Sequence, residues 1–152
     1  MKFASNHIPS DHTILLVDDE KQVRRFMHTL LVSEGYNVII AADGFEAVFK
    51  YSECFDNITL VLMDISMPRK DGVAAYHEIK DMNPNAIILL MSAYSESSIG
   101  HIPNLHFIKK PMVSAELLKK ISELIESYNQ NLNINIEDDV CFRDVSYTES
   151  TA

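Results

Sequence analysis

Five short and almost wholly apolar runs constrain the fold of this chain most, because each alternates with a longer amphipathic stretch. The runs span residues 14–17, 38–41, 58–63, 86–91 and 105–108. Strands that are apolar on both faces and joined by helices indicate a parallel sheet covered by helices on each side. Because crossovers between parallel strands are right-handed, the pattern predicts an α/β fold with a doubly wound, five-stranded parallel sheet.

Apolar residues recur at helical spacing after the first, second, third and fifth runs, which indicates a helix behind each of these strands. The clearest is the amphipathic segment 113–128. In the second helix, Phe45, Val48 and Phe49 are expected to form the buried face. The segment 94–104 contains three serines, one glycine and one proline. This composition leaves room for about one or two turns, so the fourth helix is expected to be shortened.

Acidic residues stand where two of the predicted strands end. Asp18 and Asp19 follow the first run, and Asp64 follows the third. If these strands are neighbours, the three carboxylates meet at the carboxyl edge of the sheet, where sites form in doubly wound folds. Such a cluster raises its own pKa values unless a cation neutralises it, and hard oxygen ligands suit Mg²⁺. Ser92 and Lys110 follow two further runs, and the whole set predicts a site for a phosphoryl group.

Five ordered motifs give the chain a specific resemblance to the receiver domain of two-component response regulators, including the single-domain chemotaxis type. The motifs are Val17-Asp18-Asp19, Met63-Asp64-Ile65-Ser66-Met67-Pro68, Asp71-Gly72, Ser92-Ala93 and Phe107-Ile108-Lys109-Lys110-Pro111. The resemblance covers residues 12–128 and implies a flavodoxin-like receiver fold. Residues 1–11 are then an N-terminal extension, and residues 129–152 follow the domain.

The resemblance implies a role for each residue of the predicted site. Asp64 is the expected phosphoacceptor, with a phosphohistidine of a sensor histidine kinase or phosphotransfer protein as the donor. Mg²⁺ is the expected cofactor, and its implied ligands are Asp18, Asp19, Asp64 and the backbone carbonyl of Ser66. Lys110 and Ser92 are expected to assist catalysis. Taken without the other residues, Asp18 and Asp19 fit a helix cap equally well.

The resemblance also implies which groups contact the phosphoryl group, transmit the switch and set its lifetime. The implied phosphoryl-binding residues are Ile65, Ser92, Ala93 and Lys110. The implied switch residues are Ser92 and Phe107, and the implied tuning residues are Ser66 and Tyr94. Tyr94 is expected to shield the acyl phosphate partly and so to slow its hydrolysis.

Phosphoryl-transfer chemistry agrees with these implied roles, because Mg²⁺ and a lysine neutralise charge that develops on the transferred group. Phosphorylation adds about −1.5 to −2 charge and shifts a two-state equilibrium. The chain is therefore expected to be a phosphorylation-activated switch that changes its partner-binding face. It is not expected to be an enzyme beyond catalysing its own phosphorylation and dephosphorylation.

Two other functions remain open at this stage. One is a degenerate receiver that binds partners without being phosphorylated. The other is a Mg²⁺-dependent aspartyl phosphohydrolase. Such hydrolases place a second Asp two residues after the nucleophile, where this chain has Ser66, so the sequence favours the switch.

Charge and hydropathy limit the partners and the setting. The net charge is −9, and no DNA-binding segment is recognisable after residue 128, so direct nucleic-acid binding is not expected. No apolar run approaches membrane-spanning length, and the two cysteines form no disulfide framework. A cytoplasmic protein without membrane contact is therefore expected. The cognate kinase, the stimulus and the downstream protein target remain open.

Residues 129–152 depart from the alternating pattern and carry five acidic residues against one basic residue. The sequence leaves two descriptions open for them, a flexible acidic tail and a marginal hairpin. It also leaves open whether the chain is a stand-alone receiver or a piece of a longer regulator.

Overall fold

The computed structural model describes the backbone of residues 11–143 and the side chains of residues 11–132. Strands and helices alternate along the described chain. The strands are β1 (Thr13–Val17), β2 (Asn37–Ala41), β3 (Ile58–Asp64), β4 (Ile88–Ser92) and β5 (His106–Lys109). The helices are α1 (Lys21–Ser33), α2 (Gly44–Cys54), α3 (Gly72–Met82) and α4 (Ser114–Arg143).

The five strands form one parallel sheet in the order β2-β1-β3-β4-β5. The chain moves outward from β1 to β2 and then returns to place β3 on the other side of β1, so the strand order reverses between β1 and β3. Val17 pairs with Met63, which brings the carboxyl ends of these two strands to the same edge. The doubly wound parallel fold predicted from the sequence is confirmed, and ligand sites in such sheets lie at this reversal point.

The strands are apolar throughout because helices cover both faces of the sheet. Helices α2 and α3 pack on one face, and α1 and α4 pack on the other. Within β1, Leu15 and Val17 point to the first face while Ile14 and Leu16 point to the second, and all four are completely buried. Each such side chain contributes about 1.5–3 kcal/mol of burial free energy, so the sheet is a rigid support for its carboxyl edge.

The predicted buried face of α2 is wrong in two of its three residues. Phe45 and Phe49 are 54% and 63% exposed, whereas Ala47 and Tyr51 are buried and Val48 is partly buried. Positions 47, 48 and 51 form one helical stripe that contacts the sheet, and the two phenylalanines flank that stripe. Residue size suggested the wrong stripe, because hydrophobicity alone does not reveal how a helix is rotated about its axis.

The loop after β3 is folded back tightly against the end of that strand. The Asp71 carboxylate caps α3 by accepting the N–H of Ala74 at 2.8 Å. The N–H of Gly72 donates to the carbonyl of Ile65 at 2.9 Å. A Cβ atom on Gly72 would lie 2.3 Å from the Asp64 carbonyl oxygen, so only glycine allows this close approach. The turn therefore fixes the backbone that carries Asp64.

The segment between β4 and β5 contains a single 3-10 turn, Glu96–Ser98, where the sequence predicts a shortened fourth helix. That prediction is confirmed. The N–H of Ser98 donates to the carbonyl of Ser95 at 3.0 Å, and Gly100 adopts a positive φ of 88° two residues later. Local serine contacts and the left-handed glycine stop the helix after one turn.

The last helix is longer than the sequence analysis predicts, because α4 continues to Arg143. Over residues 129–143 the backbone is helical and not a hairpin, while the description of a flexible acidic tail stays a prediction. Extending an existing helix adds one hydrogen bond per residue without a new nucleus, whereas an isolated two-stranded hairpin is marginal in water.

Residues 144–152 and residues 1–10 lie outside the described part of the chain. Within that part, no helix is both long enough and apolar enough to span a membrane.

Candidate functional site

Three carboxylates meet at the carboxyl edge of β1 and β3, as the strand ends predict. One carboxylate oxygen each from Asp18, Asp19 and Asp64 lies within 4.8 Å of the other two. Asp18 is completely buried and Asp64 is 5% exposed, while Asp19 is more accessible. Because β1 and β3 are neighbours, residues far apart in the sequence are held together by the sheet and not by flexible loops.

A single ammonium group lies between two of these carboxylates. Lys110 Nζ is 3.3 Å from Asp18 Oδ2 and 3.3 Å from Asp64 Oδ1. The backbone N–H of Lys110 donates to the Ser92 carbonyl at 2.7 Å, which continues the β4–β5 pairing by one residue. The Lys110-Pro111 peptide bond is cis. The end of β5 therefore aims the lysine across β4 and into the acidic cluster.

Burial and neighbouring charges shift the pKa values of the Asp64–Lys110 pair. Burial raises the pKa of Asp64, Lys110 opposes this, and the negative charges of Asp18 and Asp19 raise it further, so the net shift is upward. Burial alone would lower the pKa of Lys110, but the carboxylates of Asp18 and Asp64 outweigh it and the pKa is raised. Lys110 therefore stays protonated, while Asp64 bears an electrostatic cost when it ionises.

The donor set fits a divalent cation. Three ionised carboxylates and one ammonium leave two negative charges uncompensated in a largely buried cluster. All three ligand atoms are hard carboxylate oxygens, which is the chemistry that Mg²⁺ prefers. Asp18, Asp19 and Asp64 are the residues that would hold the ion. The role of the Ser66 carbonyl as a ligand stays a prediction.

Ser92 ends β4 beside this cluster and is 1% exposed. Its Oγ accepts the N–H of Tyr94 at 3.0 Å, so the hydroxyl supports the loop that follows the strand. Asp64 pairs with Met91, which precedes Ser92. The sheet register thus places the Ser92 backbone at the same edge as Asp64.

The predicted phosphoryl contact of Ile65 stays a prediction, and its backbone N–H already has a partner in the sheet. The N–H of Ile65 donates to the Met91 carbonyl at 2.9 Å and so belongs to the β3–β4 pairing. An amide has one hydrogen, and this one points along the sheet and not toward the site. Within residues 11–143, the N–H of Ser66 has no acceptor, which makes it the better candidate donor in this loop.

The remaining predicted residues lie around the site at different depths. Ala93 is exposed at the start of the β4–β5 loop, and Tyr94 beside it is 66% exposed. Ser66 is also exposed. Phe107 is partly buried and packs with Ile102 and Leu105 against the core on the face covered by α2 and α3.

Two contacts to Asp18 were not anticipated from the sequence. The Arg24 guanidinium donates to the Asp18 carbonyl at 2.6 Å, and the N–H of Glu20 donates to Asp18 Oδ1 at 2.9 Å. The contact of Arg24 could not be predicted from its separation of six residues from Asp18. It forms only because α1 folds back over the end of β1. With Lys110 on Oδ2, both Asp18 oxygens are hydrogen-bonded.

The fold and the site together define a class of protein, namely doubly wound α/β domains that collect acidic residues and one lysine at the reversal point of the sheet. A family model described as the response regulator receiver domain matches residues 14–122. The chain therefore belongs to the receiver domain family of two-component signalling. Members of this family are signalling proteins, and they bind Mg²⁺ in an acidic site of this kind.

Individual relatives agree with this family. The chain is 35% identical over 119 residues to chemotaxis protein CheY of Bacillus subtilis, covering 75% of this chain and 98% of that protein. It is 32% identical over 120 residues to CheY of Treponema pallidum, covering 76% and 83% respectively. A crystal structure of the CheX–CheY–BeF3–Mg complex from Borrelia burgdorferi matches with a TM-score of 0.67 and 33% identity. That match covers 74% of this chain and 88% of that chain.

Proposed function

We propose that this chain is a phosphorylation-dependent signalling switch whose phosphoacceptor is Asp64. The donor is a phosphohistidine on a sensor histidine kinase or a phosphotransfer protein. The observation that carries the proposal is the convergence of Asp18, Asp19 and Asp64 with the ammonium of Lys110 3.3 Å from Asp64 Oδ1. A buried acid, a lysine and a divalent-cation donor set are together suited to phosphoryl transfer.

In the proposed reaction, a carboxylate oxygen of Asp64 attacks the phosphorus atom of the donor. The new O–P bond forms as the P–N bond to the donor imidazole breaks, and the electron pair of that bond leaves with the imidazole nitrogen. Lys110 lies where it neutralises negative charge on the transferred group. Asp18, Asp19 and Asp64 would hold Mg²⁺, which supplies further charge neutralisation when bound. The product is an acyl phosphate on Asp64.

The switch follows from new acceptor oxygens at Asp64. In the unphosphorylated protein, Ser92 Oγ accepts the N–H of Tyr94. We propose that the Ser92 hydroxyl turns to donate to a phosphoryl oxygen, while the N–H groups of Ser66 and Ala93 supply further donors. This releases the Tyr94 backbone and shifts the loop toward the site. The population then shifts to a second conformation in which Phe107 occupies the vacated space.

The phosphodonor has a suitable docking groove beside Lys110. An apolar groove of about 530 Å³ lies between α1 and the start of α4. Its apolar lining includes Val23, Phe26, Leu30, Pro111 and Met112, and Phe26 is 63% exposed. We propose that an apolar helix face of the donor packs here and presents its phosphohistidine to Asp64. This places the docking surface on the same edge of the sheet as the chemistry.

The output is proposed to be a contact with another protein and not with nucleic acid or a membrane. The related CheY from Borrelia burgdorferi forms a crystallised complex with CheX, which is one such protein contact. In this chain, the loop between β4 and β5 contains one 3-10 turn and is largely exposed, so its reorganisation alters a protein surface directly. The cytoplasmic setting expected from the sequence stays a prediction.

The phosphohydrolase alternative has less support, because the residue two positions after Asp64 is Ser66 and not a second acid. Hydrolysis of an external ester needs a group that protonates the leaving oxygen. A binding module that has lost phosphorylation is favoured by no observation, since the acids, Ser92 and Lys110 all converge.

The proposal is tested by incubating the chain with acetyl phosphate and Mg²⁺ and measuring its intact mass. We expect one added phosphoryl group in the wild type and in Asp81→Asn, which changes an exposed acid on α3. We expect none in Asp64→Asn. Multiple turnovers of a generic phosphate ester would instead support the hydrolase, and an unmodified wild type would support the binding module.

A further inference from the structure

Helix α1 carries a continuous basic face, and only one of its four members contacts the phosphorylation site. Its four members follow the i, i+3, i+4, i+7 spacing of one helical face. They line, with Thr29 and Ile40, a groove of about 270 Å³ between α1 and the edge strand β2. The four members are Lys21, Arg24, Arg25 and His28. We refer to them as the basic face of α1.

This basic face is electrostatically unfavourable for the helix that carries it. Lys21 and Arg24 occupy the first turn, which contains no acidic residue, so cations stand at the positive end of the helix dipole. Lys21 with Arg25, and Arg24 with His28 when protonated, are also like-charged i, i+4 pairs. Among the described residues, no ion pair joins Lys21, Arg25 or His28 to a carboxylate. A cluster that opposes local stability in this way is expected where a ligand supplies the missing charge.

We propose that the basic face of α1 binds a short acidic segment of a partner protein, which lies extended along the groove. From Lys21 to His28 the face spans about 10 Å of helix, the length of about three extended residues. Ile40, which is 42% exposed, also lines the groove and offers an apolar contact in addition to the cations. Carboxylates spaced around an apolar side chain match this arrangement.

The charge of the whole chain selects this partner over other anions. The net charge of −9 repels a nucleic acid or an anionic membrane at long range, and salt screens this repulsion only partly. A short peptide with a few carboxylates gains the local attraction of the cluster and suffers less of the long-range repulsion. Inorganic phosphate also has no apolar group that could pack against Ile40.

The acidic-segment site is independent of the proposed phosphodonor groove. At about 100° per residue, the basic residues of α1 lie on the flank opposite Val23, Phe26 and Leu30. Arg24 also contacts the phosphorylation site, since it donates to the Asp18 carbonyl, so it is left unchanged in the test. Lys21 and Arg25 are exposed, and among the described residues their side chains form no ion pair with the phosphorylation site. The inference therefore stands whether or not Asp64 is phosphorylated.

The test measures the fluorescence anisotropy of a labelled peptide in which glutamates flank one leucine, added to the full chain at low salt. We expect saturable binding that high salt abolishes, and no binding of the matched glutamine peptide. Arg25→Glu should weaken binding about tenfold. Lys119→Glu reverses the same charge at a 77% exposed lysine of α4 and should leave peptide binding unchanged. Arg25→Gln should give an intermediate loss, and thermal melts should show that all variants fold.

Three outcomes would overturn the inference. In the first, the glutamate peptide shows no saturable binding. In the second, the glutamine peptide binds as well as the glutamate peptide. In the third, Arg25→Glu and Lys119→Glu weaken binding of the glutamate peptide equally. A parallel titration with inorganic polyphosphate and with anionic lipid vesicles separates the other polyanions. If either binds the basic face and the peptide does not, the partner assigned here is wrong.

Discussion

Lys110 Nζ lies 3.3 Å from Asp64 Oδ1, although burial still raises the pKa of Asp64 above its usual range. The lysine thus compensates only part of the cost of a buried acid that has two acidic neighbours. The proposed phosphoryl transfer needs an ionised Asp64, which a bound divalent cation and Lys110 would stabilise together. This residual cost makes the site testable by stability measurements as well as by chemistry.

The first prediction concerns the pH dependence of stability. Because the folded-state pKa of Asp64 is raised, ionising this group costs native-state stability as the pH rises through that pKa. Asp64→Asn removes the ionising group and keeps a similar shape. Without Mg²⁺, the variant should be more stable than the wild type at pH 7, with a gap that closes below the usual pKa of an aspartate. Urea unfolding at both pH values measures this, and a gap that widens in acid would contradict it.

The second prediction concerns cation binding. A ligand that binds only the folded state stabilises it by about 2.7 kcal/mol at one hundred times its Kd. Mg²⁺ should therefore raise the unfolding midpoint of the wild type in proportion to the logarithm of its concentration. Asp19→Asn should lose most of this effect, while Asp81→Asn, at an exposed site on α3, should keep it. Equal responses in the two variants would argue against the carboxylate cluster as the binding site.

The third prediction uses two adjacent lysines. Lys110→Met leaves Asp18 and Asp64 without their shared ammonium and should destabilise the fold at pH 7 by about 3 kcal/mol. The loss should shrink in acid as Asp64, whose pKa is raised, is protonated. Lys109→Met, at an exposed neighbour, should change stability by less than about 0.5 kcal/mol. Chemical denaturation compares the two variants, and similar losses at pH 7 would show that Lys110 is an ordinary surface lysine.

The fourth prediction concerns the switch. Ser92→Ala leaves the Tyr94 N–H without its acceptor, which should cost about 1 kcal/mol, and removes the proposed donor to the phosphoryl group. Phosphorylation of Asp64 should still occur, but amide hydrogen exchange over residues 93–105 should no longer change when it does. Ser95→Ala, at an exposed serine of the same loop, should respond like the wild type. A normal response in Ser92→Ala would remove Ser92 from the mechanism.

Much of the site could be predicted from the sequence because it rests on strand ends. Four of the five apolar runs are followed directly by a polar residue, and a parallel sheet brings all carboxyl ends to one edge. Asp64 and Lys110 therefore meet for a reason that needs no knowledge of loops. The shortened fourth helix was also predictable, since the serines and Gly100 act locally on the backbone.

The errors concern properties that only tertiary contacts decide. Phe45 and Phe49 are exposed because the rotation of α2 is set by how Ala47 and Tyr51 fit the sheet. The hydrogen bond from the Ile65 N–H to the Met91 carbonyl is likewise a tertiary contact that sequence spacing cannot show. The extension of α4 to Arg143 overrides an alternating pattern that is weak evidence for a strand.

The most direct test of the account identifies the residue that carries the phosphoryl group. After incubation with acetyl phosphate and Mg²⁺, borohydride reduction converts an aspartyl phosphate into homoserine, and peptide mass spectrometry locates the product. We expect homoserine at position 64 and at none of the other aspartates, and we expect its loss in Lys110→Met. Homoserine at Asp18 or Asp19, or an unmodified Asp64 in a protein that has gained phosphate, would contradict it.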